Sequence, residues 1–180
     1  MRSTSSIGSS DGRRCSSSAE LGGVTPAVDA ARAAGVEVGV HPYEHDPGHA
    51  SYGLEAASAL GVDPGEVFKT LVVELSEGEL ALAVVPVDTS VDLKAVAAAL
   101  GAKKAAMADP TAAERATGYV VGGISPLGTR QPMRTAIEEM ALACDRLYCS
   151  GGRRGLDISL APDELVALTE GVVAPIARYS

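Results

Sequence analysis

The sequence predicts one folded domain of mixed α/β class, and three observations carry that prediction. The chain has 180 residues, of which 46% are hydrophobic and 21% charged, values typical of a globular domain that buries its own core. Short apolar runs suited to strands alternate with segments that begin at a helix N-cap residue and end at glycine. The longest apolar run, Leu80 to Val87, has eight residues. A membrane-spanning helix needs about 20, so an integral membrane protein is excluded.

The first 23 residues are predicted to be disordered, which places the folded domain at residues 24–180. Eight of these 23 residues are serine and four are glycine, so the segment offers little apolar surface to offset the entropy of ordering. It lacks the apolar stretch of a secretory signal. Its Ser and Arg content weakly resembles an organelle transit peptide, although no amphipathic helix is visible.

Five helices are predicted from cap residues and glycine stops. Thr25 is a good N-cap and Pro26 suits the first helical position, and Gly35 then ends the first helix. The predicted helices cover residues 26–34, 53–60, 92–100, 110–118 and 162–169.

The predicted strands follow apolar patterns. Val36, Val38 and Val40 alternate with other residues in the period of a half-buried strand. Two apolar runs, Val67 to Leu75 and Leu80 to Val87, flank Glu77-Gly78 and indicate a hairpin. Further short strands are predicted near residues 133–138, 146–149 and 156–160, with glycine-rich loops at 122–128 and 151–155.

Charge is unevenly distributed along the chain. The net charge is −8, with −9 on residues 24–100, +3 on residues 101–155 and −3 on residues 156–180. An acidic surface of this kind serves solubility, and residues 101–155 are the one folded stretch suited to phosphate. With no Trp, one Phe and five Tyr, the composition argues against an aromatic platform that stacks successive bases.

The three cysteines, Cys15, Cys144 and Cys149, contain no C-x-x-C pair. An odd number without that spacing argues against a disulfide framework and a zinc knuckle and favours reduced thiols in a cytosol. Cys144 and Cys149 lie in apolar stretches, where cysteine usually acts as inert packing rather than as a nucleophile.

Lys69 is the most informative single residue. Strand alternation places it on the same face as Val67, Leu71, Val73 and Leu75. An ammonium among aliphatic side chains would be desolvated and would need a partner or a role. The other interpretation is that the stem is buried while the amine reaches water.

Two glycine-rich segments are candidates for ligand contact. In Gly122-Gly123-Ile124-Ser125-Pro126, adjacent glycines let backbone N–H groups approach a ligand oxygen, although an ordinary tight turn has the same composition. The segment from Ser150 to Gly155 joins flexible backbone to Arg153 and Arg154, which suits phosphate contact, or else it is a solvated hairpin.

His41, His45 and His49 recur every four residues. On a helix they would share one face and suggest a metal site, but Pro42 and Pro47 argue against a helix. Solvated or hydrogen-bonded imidazoles are the other interpretation.

Several of these segments together resemble one family. They are Thr25-Pro26-Ala27, Tyr43-x-His45-Asp46, Val67-Phe68-Lys69-Thr70-Leu71, Leu93-Lys94, Gly101-x-Lys103-Lys104, Met107-Ala108-Asp109, Thr117-Gly118-Tyr119-Val120-x-Gly122-Gly123-Ile124-Ser125-Pro126 and Ser150-Gly151-Gly152-x-Arg154-Gly155-Leu156. In this order and spacing the chain resembles the YbaK/EbsC family of Cys-tRNA(Pro)/Cys-tRNA(Cys) deacylases, from about Thr25 to Arg178. The stretch from Thr117 to Pro126 is its most specific motif.

The resemblance implies a fold and a trans-editing activity. The fold is that of the editing insertion domain of prolyl-tRNA synthetases, with a mixed, mostly antiparallel, curved sheet flanked by helices. The activity removes cysteine that prolyl-tRNA synthetase has attached to proline tRNA, because a small pocket cannot reject every near-isostere. In the family the substrate's own thiol attacks its ester and leaves as a cyclic thioester, so the protein contributes position and electrostatics, with no cofactor or metal.

The resemblance also implies residue roles. Lys69 is the expected catalytic residue, beside the ester or terminal ribose. The expected substrate-binding residues are Tyr43, Tyr52, Thr70, Gly122, Gly123, Ile124, Ser125, Pro126 and Glu138. On charge rather than motif, we expect Lys103, Lys104, Arg153 and Arg154 to contact the phosphates of the acceptor stem.

The chain departs from the family pattern at two sites. Tyr52 stands where relatives often have Phe, and Glu138 stands where they usually have Asp. If Glu138 contacts the amino nitrogen of the substrate, its extra methylene alters selectivity. The Ser-rich N-terminal segment has no counterpart in the family.

The sequence therefore predicts a cytoplasmic deacylase of Cys-tRNA(Pro), aided by prolyl-tRNA synthetase in a ternary complex and without a membrane partner. Three other functions stay open at this point. They are an editing enzyme for Ala-tRNA(Pro) or another mischarged tRNA, a non-catalytic module that binds tRNA or a synthetase, and a metal-dependent hydrolase that uses the three histidines.

Overall fold

A mixed β-sheet runs through the middle of the computed structural model, which describes residues 24–180. The predicted disordered segment 1–23 lies outside the described residues. Helices cover both faces of the sheet, so the predicted α/β class is confirmed.

Five α-helices lie close to their predicted positions. They are α1 (Pro26–Ala33), α2 (Tyr52–Leu60), α3 (Leu93–Ala99), α4 (Pro110–Thr117) and α5 (Pro162–Thr169). The side chains of Thr25, Ser51, Asp92 and Asp109 each accept a hydrogen bond from the N–H three residues on, which caps α1 to α4.

Ten strands are found within residues 24–180. They are β1 (Gly39–Pro42), β2 (Val67–Leu75), β3 (Leu80–Pro86), β4 (Ser90–Val91), β5 (Ala105–Met107), β6 (Thr135–Glu138), β7 (Leu147–Arg153), β8 (Leu156–Leu160), β9 (Val172–Ala174) and β10 (Ala177–Arg178). Eight of them form one sheet, in which β1-β8-β7-β2-β3-β6-β9 are neighbours and β5 also pairs with β2. The remaining two, β10 and β4, pair with each other.

The pairing is mixed, as the resemblance implied. The β1–β8, β7–β8, β2–β3, β2–β5 and β10–β4 pairs are antiparallel. The β2–β7, β3–β6 and β6–β9 pairs are parallel. The predicted hairpin is β2–β3, and it turns at Glu77 and Gly78, which have φ of 70° and 83°.

Alternating residues of β2 and β3 enter two separate cores. Phe68 and Val72 of β2 pack with residues of α1, α4 and α5 on one face. Val73 and Leu75 pack with α3 on the other face. A smaller cluster joins α2 to Val67 and Val87, so the start of β2 is covered by α2.

Two predicted elements are shifted in the structure. The strand predicted from Val36 begins at Gly39, and Val36 and Val38 pack against the core from the connection before it. The predicted loop at 151–155 is wrong in its first half, because β7 continues to Arg153 through an irregularity between Ser150 and Arg153. Gly152, at φ 104°, provides the unusual backbone angle that this irregularity needs. No helix within residues 24–180 is long and apolar enough to cross a membrane.

Candidate active site

A gap beside β2 creates the cavity that Lys69 lines. On one side β2 pairs with β3 along almost its whole length. On the other side it pairs with β7 at Val67 and Phe68 and with β5 from Val73 to Leu75. Within the described part of the chain, no strand lies along this side of residues 69–72. A cavity of about 400 Å³ opens at this gap, a size suited to a small organic ligand.

Lys69 reaches this cavity from β2. Its Nζ donates hydrogen bonds to the carbonyl oxygens of Thr89 at 2.5 Å and Val87 at 3.5 Å. Burial lowers the pKa of the half-buried ammonium, and the negative charge of Asp88 opposes that shift. The amine is therefore oriented by two backbone carbonyls within mainly apolar walls.

Thr70, the next residue of β2, also lines the cavity. Its Oγ1 is the one buried side-chain oxygen or nitrogen in residues 24–180 without a hydrogen-bond partner. Buried hydroxyls are nearly always paired, so this atom is suited to bind a polar group of a ligand.

Asp157 is the second charged residue of the cavity. It lies on β8 and is 5% exposed, and burial raises the pKa of its carboxyl to about 7. Burial is the cause of this shift. The neighbouring phenol of Tyr43 has its pKa raised to about 12, first by burial and then by the charge of Asp157. The two charged groups, Lys69 and Asp157, thus line one mainly apolar cavity.

The double-glycine bend closes one side of the cavity. Gly122 has φ of 87°, and a Cβ on it would lie 2.7 Å from Cε2 of Tyr52. A Cβ on Gly123 would lie 2.8 Å from the Cα of Arg153. Both glycines are therefore needed because aromatic and backbone atoms pack directly against them.

Arg154 connects this bend to Tyr52. Its guanidinium donates to the carbonyl oxygen of Val121 from Nε at 3.0 Å and from Nη2 at 2.6 Å. The same guanidinium lies 4.9 Å from the centroid of the Tyr52 ring, a cation–π arrangement. Tyr52 and Gly122 line the cavity, and Arg154 contacts Tyr52 from outside it; we call these three residues the cover.

Comparison with known proteins identifies this architecture. The family model described as "Aminoacyl-tRNA editing domain" matches residues 47–168, more than half of the chain. This chain belongs to the aminoacyl-tRNA editing domain family. It is an editing enzyme of the YbaK/EbsC type, as the sequence resemblance implied.

Relatives of this editing domain include a curated bacterial protein and solved structures. The chain is 38% identical over 120 residues to "Putative Cys-tRNA(Pro)/Cys-tRNA(Cys) deacylase EbsC" of Enterococcus faecalis, covering 67% of this chain and 73% of that protein. A crystal structure of "a putative trans-editing enzyme for prolyl tRNA synthetase" matches with a TM-score of 0.70 and 26% identity, over 83% of this chain and 96% of that one. Another, of hypothetical protein APE2540, matches with a TM-score of 0.77 and 25% identity, over 86% and 100%.

The structure separates the expected catalytic and substrate-binding residues of the editing domain. Tyr43, Tyr52, Lys69, Thr70, Gly122 and Ile124 line the cavity. Gly123 lies in the double-glycine bend but is not among the residues that line the cavity. Ser125 is fully buried beside the bend, where its Oγ accepts a hydrogen bond from the N–H of Leu127 at 3.3 Å. Pro126 lines a separate groove of about 800 Å³ between α1, α3 and α5. Glu138 does not line the cavity and instead binds the segment that contains β10.

The expected tRNA-binding residues lie outside the cavity. Lys103 and Lys104 are exposed in the connection between α3 and β5, and both backbone N–H groups donate to Ser76 Oγ at 3.1 Å. Arg153 is exposed at the end of β7. Arg154, also exposed, makes the contacts to Tyr52 and Val121 described above.

The three histidines of the editing domain bind different partners. His41 Nε2 lies 2.8 Å from Ser159 Oγ, and His45 Nδ1 lies 2.8 Å from Glu55 Oε2. His49 Nδ1 accepts from the N–H of Ser51 at 3.2 Å. Within residues 24–180, no group of three or more His, Cys, Asp or Glu residues could hold a metal ion.

Sequence reasoning missed Asp157. Its neighbours on β8 are Leu156, Ile158, Ser159 and Leu160, and all five residues of the strand are buried. Asp157 could have been found by the same signal as Lys69, because both are charged residues within a buried strand.

Proposed function

We propose that this editing domain removes cysteine from mischarged Cys-tRNA(Pro). The name of the Enterococcus faecalis relative and the description of the similar crystal structure as a trans-editing enzyme for prolyl-tRNA synthetase support this substrate. The observation that carries the proposal is that Lys69 and Asp157 both line one mainly apolar cavity of about 400 Å³. Such a cavity can accommodate a small charged aminoacyl group together with its ester.

In the proposed reaction, the substrate supplies its own nucleophile. The cysteine thiol loses its proton, and its sulfur forms a bond to the ester carbonyl carbon. The bond from that carbon to the ribose oxygen breaks, and the oxygen takes up a proton. The products are a cyclic thioester and tRNA with a free terminal hydroxyl.

The residues around the cavity favour this route. Of the described residues that line it, none is a cysteine or a histidine. Cys149 is fully buried, and burial raises the pKa of its thiol, which disfavours the reactive thiolate. A thiol carried by the substrate is thus the strongest nucleophile that the cavity would hold.

Lys69 would stabilise the negative charge that develops on the ester and leaving oxygens. Its ammonium is already oriented by the Thr89 and Val87 carbonyls, so little reorganisation is needed during the reaction. Thr70 Oγ1 would donate to or accept from the bound ester or ribose. Tyr43, Tyr52 and the bend at Gly122 to Ile124 would confine the aminoacyl group.

Asp157 would bind the α-ammonium group of the cysteinyl ester. Burial disfavours the charged form of this carboxyl, and an ammonium placed beside it offsets that cost. The sequence had suggested Glu138 for this contact, but Asp157 is the buried carboxyl that lines the cavity.

Lys103, Lys104, Arg153 and Arg154 would meet acceptor-stem phosphates outside the cavity. The modest positive charge of residues 101–155 implies weak, salt-sensitive tRNA binding. A ternary complex with prolyl-tRNA synthetase in the cytoplasm would raise the local concentration of the mischarged tRNA.

The test is a deacylation assay with three substrates, tRNA(Pro) charged with cysteine, serine or alanine. We expect release of free tRNA from the cysteinyl ester alone, since serine and alanine lack the thiol. Lys69→Ala should slow the reaction at least tenfold, about 1.4 kcal/mol of transition-state stabilisation. Lys94→Ala is the matched control, because Lys94 is exposed on α3 and outside the cavity.

Each other result identifies a different function. Equal cleavage of the alanyl ester would replace the thiol mechanism with editing of Ala-tRNA(Pro). Binding of the cysteinyl-tRNA without cleavage, even with excess protein, would mean a non-catalytic module. Loss of activity on chelation would instead favour a metal-dependent hydrolase.

A further inference from the structure

Glu138 is a buried carboxylate whose place in the fold is at the end of β6. It is 2% exposed, and it lies outside the cavity lining. Its Oε2 accepts hydrogen bonds from the N–H groups of Ile176 and Ala177, both at 2.7 Å. Its Oε1 accepts from the hydroxyl of Tyr179 at 3.3 Å. Three hydrogen bonds to one buried side chain restrict the positions of these three residues, so Glu138 fixes this segment.

The segment that Glu138 fixes contains β10, and β10 holds β4. Ala177 pairs with Val91, and Arg178 pairs with Ser90. The N–H of Asp92 also donates to the carbonyl of Ile176 at 2.7 Å. The position of β4 therefore depends on the segment bound by Glu138.

A short turn, residues 87–89, leads directly into β4 and carries both carbonyls that bind Lys69. Thr89 is adjacent to Ser90, the first residue of β4. At its other end the turn is held by the N–H of Val87, which donates a hydrogen bond to the carbonyl oxygen of Val67 at 2.9 Å. The Thr89 hydroxyl donates to the carbonyl of Pro86 at 2.8 Å. The turn is thus anchored to β2 on one side and to β10, through β4, on the other.

We propose that Glu138 is a positioning residue for Lys69, acting through β10, β4 and the turn at residues 87–89. A lysine side chain loses much rotamer freedom when it is held in one place, so two fixed carbonyls are needed to keep the amine in the cavity. The predicted effect on catalysis rests on the proposed function. The predicted effect on the amine itself does not, because it needs no substrate.

The experiment replaces Glu138 by Gln, which has nearly the same volume. Gln has one acceptor oxygen instead of two, and its NH₂ group cannot accept the hydrogen bonds that the second oxygen of Glu138 accepts. The Nζ resonance of Lys69 is followed by NMR in ¹⁵N-lysine-labelled protein as the pH is raised. We expect the pKa of Lys69, lowered by burial in the wild type, to return towards 10.5 in Glu138→Gln. The reason is that an amine no longer held by the two carbonyls can reach water, which removes the desolvation that lowers its pKa.

The kinetic part of the experiment is a double-mutant cycle. Glu138→Gln should reduce kcat for the cysteinyl ester at least fivefold with a smaller change in KM, and Glu138→Asp should recover part of that loss. In a Lys69→Ala background, Glu138→Gln should cause no further loss, because both variants remove the same function. Glu79→Gln is the matched control, since Glu79 pairs with Arg134 on the surface.

Two outcomes would overturn the proposal. One is an unchanged Lys69 titration in a folded Glu138 variant, and the other is an equal loss of kcat in both backgrounds. Thermal unfolding checks that the variants fold, and if Glu138→Gln does not, Glu138→Asp is carried through the same titration and cycle. A wild type without deacylase activity would contradict the proposed function, yet the titration would still decide whether Glu138 positions Lys69.

Discussion

Lys69 is half-buried and Asp157 is buried, and burial affects the pKa values of the two side chains in opposite directions. It lowers the pKa of the Lys69 ammonium and raises that of the Asp157 carboxyl to about 7. Each residue therefore has a reason to bind an opposite charge brought by a ligand. In the proposed reaction, the mischarged aminoacyl ester brings an ammonium for Asp157 and developing negative charge for Lys69.

Asp157 should make the stability of the protein depend on pH. Its pKa is about 7 in the folded protein and 3.8 as the ordinary value, so between these values the folded state binds the extra proton. Stability should therefore fall as the pH rises from about 4 to about 7, by at most about 4 kcal/mol. Urea unfolding at pH 5 and pH 8 should show this fall in the wild type and a smaller one in Asp157→Asn.

The control for this comparison is Asp163→Asn, since Asp163 is exposed in the first turn of α5. Its pH dependence should match that of the wild type. If Asp157→Asn loses as much stability between the two pH values as the wild type does, the carboxyl is not desolvated as described.

At the residue scale the sequence predicted that Lys69 lies among apolar side chains, and it missed Asp157. Alternation along a strand indicates which residues face the same way, but the expected role of Lys69 came from the family resemblance. Alternation does not reveal which side chains from different strands meet. Asp157 is on β8, which is separated from β2 by β7 in the sheet. Its place in the cavity therefore depends on the order of the strands, which alternation along one strand does not reveal.

At the scale of elements, the double-glycine bend gives a sharp prediction. Gly122→Ala should raise KM several-fold, because its Cβ would overlap Tyr52 and displace the cover that Tyr52 forms with Arg154. The positive φ adds a stability cost of about 1 kcal/mol or more. Deacylation kinetics and thermal unfolding measure the two effects.

Gly35→Ala is the control that distinguishes steric overlap of the new Cβ from the strain of a positive φ. Gly35 has a similar φ of 74°, but a Cβ there would meet no atom within 4 Å. This variant should lose stability and keep its KM. A normal KM in Gly122→Ala would mean that the cover does not contact substrate.

The elements that the sequence predicted well are those with strong local signals. Capped helices such as α4 and long apolar strands such as β2 and β3 lie near their predicted bounds. The missed strands β4, β5, β9 and β10 have two or three residues each, and their strand geometry depends on partners far along the chain. Local propensity cannot specify such pairs.

At the scale of the whole molecule, charge distribution should govern tRNA binding. Replacing Lys103 and Lys104 by Gln should weaken binding of tRNA and reduce the salt dependence of log K by about 1 to 2 units, one for each phosphate that is no longer neutralised. The turnover of bound substrate should not change. Arg32→Gln is the control, because Arg32 is an exposed residue of α1 within the acidic part of the chain. An unchanged salt slope in the Lys103/Lys104 variant would place the tRNA elsewhere.

The cavity exists because β7 and β5, which pair with the same side of β2, each pair with only a part of it. β7 accompanies only its first two residues, and β5 only its last three. If either ladder were lengthened by a few hydrogen bonds, the sheet would become more continuous, and the space beside Thr70 would fill with polypeptide. A sheet with continuous pairing on this side of β2 would have no cavity there. In this protein the interruption in β-pairing creates the space that a ligand could occupy.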